Sequence, residues 1–209
     1  MKTALPWLIL YILTITISTF LLETFIYTED LYYNSISENL TIERVEKVIA
    51  FKTKYWWAKY ALLPIVDLIG LIFIASILCL ALFLYDLPIK FSKCFEIALW
   101  GGFIFLISPF LKLLWFGLIE ADYTLADIKA FPSFSLLMFF DKEELPRYLI
   151  YPIYSFNLYR LTYFLVLTRG MQVLFQRSFA QSIKMVLSTV GVWLVLLNVI
   201  VVFLTVMKS

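Results

Sequence analysis

An all-α, polytopic membrane protein is the fold class this chain predicts, and three observations predict it. Five apolar stretches approach or exceed crossing length, charged residues are scarce, and each stretch carries a lone polar group at similar depth. The stretches run roughly 5–27, 60–85, 95–119, 158–175 and 185–207. About 20 apolar residues cross a hydrocarbon layer about 30 Å thick, so four of the five are long enough as they stand. The stretch 158–175 reaches full length if it begins near Tyr154. Composition agrees: 63% of residues are hydrophobic, 15% are charged and the mean hydropathy is +0.91. Soluble domains carry about 25% charged residues. The expectation is a five-transmembrane-helix bundle forming a single membrane domain over 1–209.

The first stretch follows Lys2 and continues past Phe20 to Tyr27. That is longer than the apolar core of a secretory signal, about 7–15 residues, and it reads as a retained span. Between 28 and 59 the chain turns polar. Within it Ile42, Val45 and Ile49 share one helical face with Val48 beside them, and charges fill the other. This predicts an amphipathic helix between spans one and two. It leads into Tyr55, Trp56 and Trp57, aromatic residues suited to the headgroup level. Asn39-Leu-Thr41 matches a glycosylation acceptor, a short pattern that matters only in a secretory pathway.

A turn over 86–93 joins spans two and three. Pro64 and Pro109 are placed to bend those spans, while Ala75 with Cys79, and Gly101-Gly102, offer small surfaces for close helix approach. The region 120–157 is mixed. Phe131–Phe140 is apolar but too short to cross, which predicts an interfacial segment between spans three and four. Asp141-Lys-Glu-Glu144 reads as a capping box, and Pro146 and Pro152 limit regularity beyond it. Tyr148, Tyr151, Tyr154, Tyr159 and Tyr163 gather around the start of span four as an interfacial belt. The residues between 175 and 185 read as a short loop before span five. Lys2, Lys90, Lys93, Arg177 and Lys184 flank the N-terminus and the short loops, which places the N-terminus inside.

The lone polar groups fall in one leaflet if the spans alternate. At 1.5 Å per residue, Asp67 and Lys112 lie about 10 Å from one face, Asn198 about 14 Å, Arg169 about 16 Å and Glu23 about 6 Å. An isolated charge at the bilayer centre costs at least about 2.5–3.5 kcal/mol, so such groups pair or face water. Asp67 with Arg169 is the favoured pair, because a guanidinium holds a carboxylate through two bonds whereas Lys112 offers a point charge. Structural pairing is the expected role. Snorkelling of Glu23, Lys112 or Arg169, and a route for a solute or proton, are the alternatives.

Other chemistry finds little support. The chain has no histidine, which removes Ser-His and Cys-His pairs, zinc-protease helices and histidine relays. Phosphate-binding and dinucleotide-binding loops and CxxC pairs are missing from the sequence. No catalytic residue, metal site or cofactor is expected. The net charge of +2 is spread along the chain, so nucleic acid is not an expected partner. Cys79 and Cys94 read as two small buried residues rather than a disulfide framework.

The run Pro152-Ile-Tyr-Ser-Phe-Asn157-Leu-Tyr-Arg-Leu-Thr-Tyr163-Phe-Leu-Val-Leu-Thr-Arg-Gly170-Met, followed by Ser178-Phe-Ala-Gln-Ser-Ile-Lys184, resembles the start of the fourth span and the next turn in Yip1-domain membrane proteins. The five-span count and the long first and third loops are similar too. Arg160 and Arg169 put charge where that family is more apolar. With few residues before span one, the chain looks like a bacterial member. The resemblance implies an integral protein of the bacterial inner membrane that acts without catalysis. Its implied partners are the lipid bilayer and another membrane protein or a second copy. Eukaryotic relatives act in vesicle traffic by binding small GTPases and shaping membranes, a role tied to an N-terminal region not seen here. A transporter or channel subunit using Glu23, Asp67, Lys112, Arg169 and Asn198 is the alternative.

Overall fold

The computed structural model describes residues 4–28, 31, 50–51, 53–120, 122–131, 134–141 and 144–208. Among these the protein is helical, with an isolated two-residue bridge and no strand. Four helices are long and apolar enough to cross a membrane, the mark of an integral membrane protein: Ala4–Phe25, Trp56–Leu84, Phe91–Ile119 and Phe179–Met207, with mean hydropathies of 2.0, 2.8, 2.0 and 2.7. The expected amphipathic helix over 40–49 lies outside the described residues, as does the glycosylation acceptor.

Several boundaries differ from expectation. The second span, α2 (Trp56–Leu84), takes in the aromatic cluster and Lys59, with Pro64 inside it. Helix α3 (Phe91–Phe105) begins within the expected turn. It breaks at Leu106 and continues as α4 (Ile107–Leu114) and a π-helical turn, Trp115–Ile119, so the third span is jointed just before Pro109. The last span starts at Phe179, not 185. Ser178 and Gln181 close a reciprocal capping box there, so the polar run is helix α8 (Phe179–Val186) rather than a turn. A π-helical turn (Leu187–Gly191) joins it to α9 (Val192–Lys208). The expected capping box at Asp141–Glu144 lies partly outside the described residues; the next described helix, α6 (Arg147–Ser155), starts after Pro146 and tolerates Pro152. Helix α7 (Leu158–Phe175) has the expected bounds. It is not among the four crossing-length apolar helices, since Arg160, Arg169 and Gln172 dilute its 18 residues.

The chain divides into two compact units, a larger one (Met1–Ala4, Gly70–Phe105 and Pro132–Ser209) and a smaller one (Leu5–Ile69 and Leu106–Phe131). In the larger unit α3 and α7 run antiparallel and touch through glycines. A Cβ on Gly101 would stand 2.6 Å from Tyr163 Cε2 and 3.1 Å from Leu167 Cδ2, and one on Gly170 would stand 2.8 Å from Ile97 Cγ2. Each helix thus lends a glycine to receive the other's bulky side chain. The Phe105 and Tyr163 rings meet at 5.1 Å toward one end, and Lys93 Nζ donates to the Leu174 carbonyl (3.3 Å) at the other. Helix α7 also packs on α8, and α6 packs on α9. Phe73 of α2 meets Trp193 of α9 edge-on at 4.8 Å. Cys79 and Cys94 are free.

In the smaller unit α1 (Ala4–Phe25) pairs antiparallel with the first half of α2. Phe20 meets Tyr60 at 6.3 Å and Glu23 forms an ion pair with Lys59. Beside the end of α1, Ile26, Phe116, Leu125, Ile128 and Phe131 form an apolar cluster. Phe116 sits 4.9 Å from the Tyr123 ring and 5.4 Å from Phe131. The Tyr123 hydroxyl donates to the Ile26 carbonyl at 3.3 Å. The short helix α5 (Leu125–Ala130) starts from a capping box between Thr124 and Asp127.

Candidate intramembrane polar site

Of the five expected cluster residues, Glu23, Asp67 and Lys112 belong to the smaller unit, and Arg169 and Asn198 to the larger. In the smaller unit the α1–α2 pairing gives Glu23 and Asp67 their neighbours. Lys59 meets Glu23, which is mostly buried, from a half-exposed position at the start of α2. Farther into the apolar stretch, Asp67 faces α1 and acts electrostatically on the buried Tyr11. Tyr11–Asp67, Phe20–Tyr60 and Glu23–Lys59 are therefore successive rungs of one ladder between two antiparallel helices. Asp67 and Lys112 are both partly buried, and neither side chain makes a hydrogen bond or ion pair among the described residues.

In the larger unit Arg169 lies exposed on α7. Its Nη1 donates to Gln172 Oε1 at 2.6 Å, a contact one turn along its own helix. Asn198 Nδ2 donates back to the Leu194 carbonyl at 2.8 Å, while its buried Oδ1 has no partner among the described residues.

The densest polar arrangement lies elsewhere, at the break between α6 and α7. A broken helix leaves carbonyls and amides unpaired, and each needs a new partner where water is scarce. Here the partners come from two sources. Asn157 caps α7: its Oδ1 accepts from the Arg160 amide at 2.8 Å and its Nδ2 donates to the Tyr154 carbonyl at 3.3 Å. Arg160 Nη1 donates to the Ser155 carbonyl at 3.0 Å. The rest comes from residues 134–136, which lie beside the break as a short antiparallel bridge. The Leu136 amide donates to the Phe156 carbonyl (2.9 Å) and the Leu158 amide donates to the Phe134 carbonyl (3.0 Å). Ser135 and Ser155 are buried in this arrangement.

The depth of the break follows from helix pairing. Gly191 lies against Phe164, its Cβ position 3.9 Å from the ring. Counting equally outward from the turn after α7 brings Asn198 level with Asn157. Asn198, expected as a cluster member, is thus placed at the height of the break, about 15 Å from the end of α9 at 1.5 Å per residue. By sequence Asn157 marks only the entry to a span, and Arg160 only a charge where the resembled family is more apolar. Asn followed three residues later by a residue whose amide needs a cap was the available signal. Tyr11 carried no signal, since one tyrosine in an apolar run is unremarkable by pattern.

No known family model, curated protein or solved structure matches this chain.

Proposed function

We propose that this protein is a non-enzymatic membrane scaffold of the Yip1-domain kind, an integral protein of the bacterial inner membrane that acts by binding another membrane protein or a second copy of itself. In this reading the chain crosses five times. The fourth crossing is α6 and α7 together, a helix interrupted at Phe156–Asn157, with residues 134–140 at the bilayer surface. Its support is that α7 packs along α8 while α6 packs along α9, so the two short helices accompany a 29-residue span from end to end. The observation that carries the scaffold reading is that Glu23, Arg169 and the helix break each find their polar partners locally. Glu23 is neutralised by Lys59, Arg169 is tied to Gln172, and the helix break is closed by backbone and Asn157. Such closure suits a rigid body better than a solute path. Purification in mild detergent tests it: a stable partner or oligomer is expected, and a solitary chain that turns over a substrate overturns it.

A second reading, a transporter or channel subunit, is favoured by Asp67 and Lys112, two partly buried opposite charges without ion-pair partners among the described residues. Flux through proteoliposomes that disappears with Asp67→Asn, at an unchanged thermal midpoint, would establish it in place of the scaffold.

A further inference from the structure

The segment between the third span and α6 has an unusual distribution of side chains. Five of seven consecutive residues are large, apolar and exposed: Phe134 (49%), Leu136 (49%), Met138 (56%), Phe139 (82%) and Phe140 (50%). Ser135 and Leu137 between them are buried. The backbone is nonetheless well fixed. Phe134 holds a positive φ of 46°, costly for a bulky residue and kept only where its surroundings impose it. The two bridge bonds to Phe156 and Leu158 impose it on one side, and the Ser135 hydroxyl, accepting from the Leu137 amide at 3.0 Å, starts the 3-10 turn Leu136–Phe139 on the other.

We propose that residues 134–140 are a wedge seated in the glycerol and upper acyl layer of one leaflet, its occupant being lipid. The proposal rests on the reading of this chain as membrane-crossing and names the partner of its surface segment. Continuity argues for lipid. The 3-10 turn packs on α6, and α6 packs on the C-terminal half of the last span, whose Val199, Ile200 and Phe203 are exposed and apolar. Depth argues the same way. The bridge lies at the level of Asn198, and the turn leads outward from it along α6, so the wedge occupies the layer between the helix break and the membrane surface. Tyr148 and Tyr154, exposed on α6 beside it, suit that layer, where an apolar ring meets a wet hydroxyl. The bridge makes the wedge a rigid extension of α7 rather than a loose loop.

Nitroxide labels in vesicles of phosphatidylcholine and phosphatidylglycerol test this. The labels go at Phe139→Cys and, as reference, at Val199→Cys, both in a Cys79→Ala, Cys94→Ala background. The expected result is that both labels relax with oxygen and are shielded from a water-soluble nickel chelate. A label at 139 open to the chelate while 199 is shielded overturns the wedge and leaves the membrane reading intact. A label at 139 shielded from both reagents also overturns it, in favour of a protein partner. Chelate access at both positions overturns the membrane reading and the wedge with it. Rigidity has its own readout. The spin–spin distance between labels at 139 and 161 is expected to be narrow in the parent and several-fold broader in Leu136→Pro, which removes the amide bonded to Phe156. An equally narrow distribution in that variant overturns the role of the bridge.

Discussion

Helices of the larger unit meet where a glycine lets backbone and side chain close to contact, at Gly101 under Tyr163 and at Gly170 under Ile97. Helices of the smaller unit meet through reach instead: Lys59 extends to Glu23, Phe20 leans on Tyr60, and rings from Phe116, Tyr123 and Phe131 fill the space beside Ile26. Its glycine at 117 faces open space within 4 Å. The difference teaches where each unit is vulnerable. In lipid there is no gain from burying one apolar helix on another, so tight van der Waals fit carries association, and that fit depends on small residues. An interface of long side chains can adjust its rotamers, whereas a glycine contact has nothing to move.

The sharpest way to break this contrast is to enlarge the glycines. Gly101→Val is expected to destabilise the protein in detergent by about 2–3 kcal/mol, the upper range of overpacking costs. Gly117→Ala should change stability by no more than about 1 kcal/mol, and in the favourable direction. Equal losses at the two sites, measured as thermal midpoints, would show that the units do not differ in this way. Next in size is the helix break. Asn157→Ala removes both the cap on Arg160 and the bond to the Tyr154 carbonyl, and a loss of about 1–2 kcal/mol is expected. Faster amide exchange confined to Leu158–Leu161 would locate it. Smaller again is the ladder in the other unit. Glu23→Gln should cost about 0.5 kcal/mol, fading with added salt, because Lys59 is half exposed.

The smallest effect concerns pH. The Thr124 hydroxyl and backbone amide, both 2.7 Å from Asp127 Oδ2, hold the Asp127 carboxyl below its usual range. A depressed carboxyl contributes stability that is full above its unfolded pKa, about 4, and lost as pH falls through its folded value. The first turn of α5 should therefore loosen only below about pH 4. Asp127→Asn should remove that dependence, with amide exchange at Leu125–Ile128 as the measure. An unchanged acid response in the variant would assign the effect to another group.

What pattern alone reveals differs by feature. The first two spans are legible to within about four residues because a long apolar run, interrupted by only a lone polar group, announces its own length. The start at Phe179 is not, since Gln181, Ser182 and Lys184 look like loop chemistry until Ser178 is seen to cap a helix with Gln181. Residues 147–155 look irregular because of Pro146 and Pro152. Yet the first precedes the helix, where no amide is needed, and the second costs one bond in a nine-residue element. Depth is legible and direction is not. Counting residues gives Arg169 a height, but only the rotation of α7 decides that it lies exposed, with Gln172 on its own helix as its partner. The bridge at Ser135 pairs residues over twenty positions apart through main-chain atoms, so no side-chain pattern encodes it.

The reciprocal glycines between α3 and α7 also constrain how this chain can diverge. A larger residue at 101 is tolerable only once Tyr163 has been replaced by something smaller, and the same holds for 170 with Ile97. Distant descendants should therefore exchange bulk between those positions in linked steps, leaving paired substitutions as the lasting trace of an interface that a single change would jam.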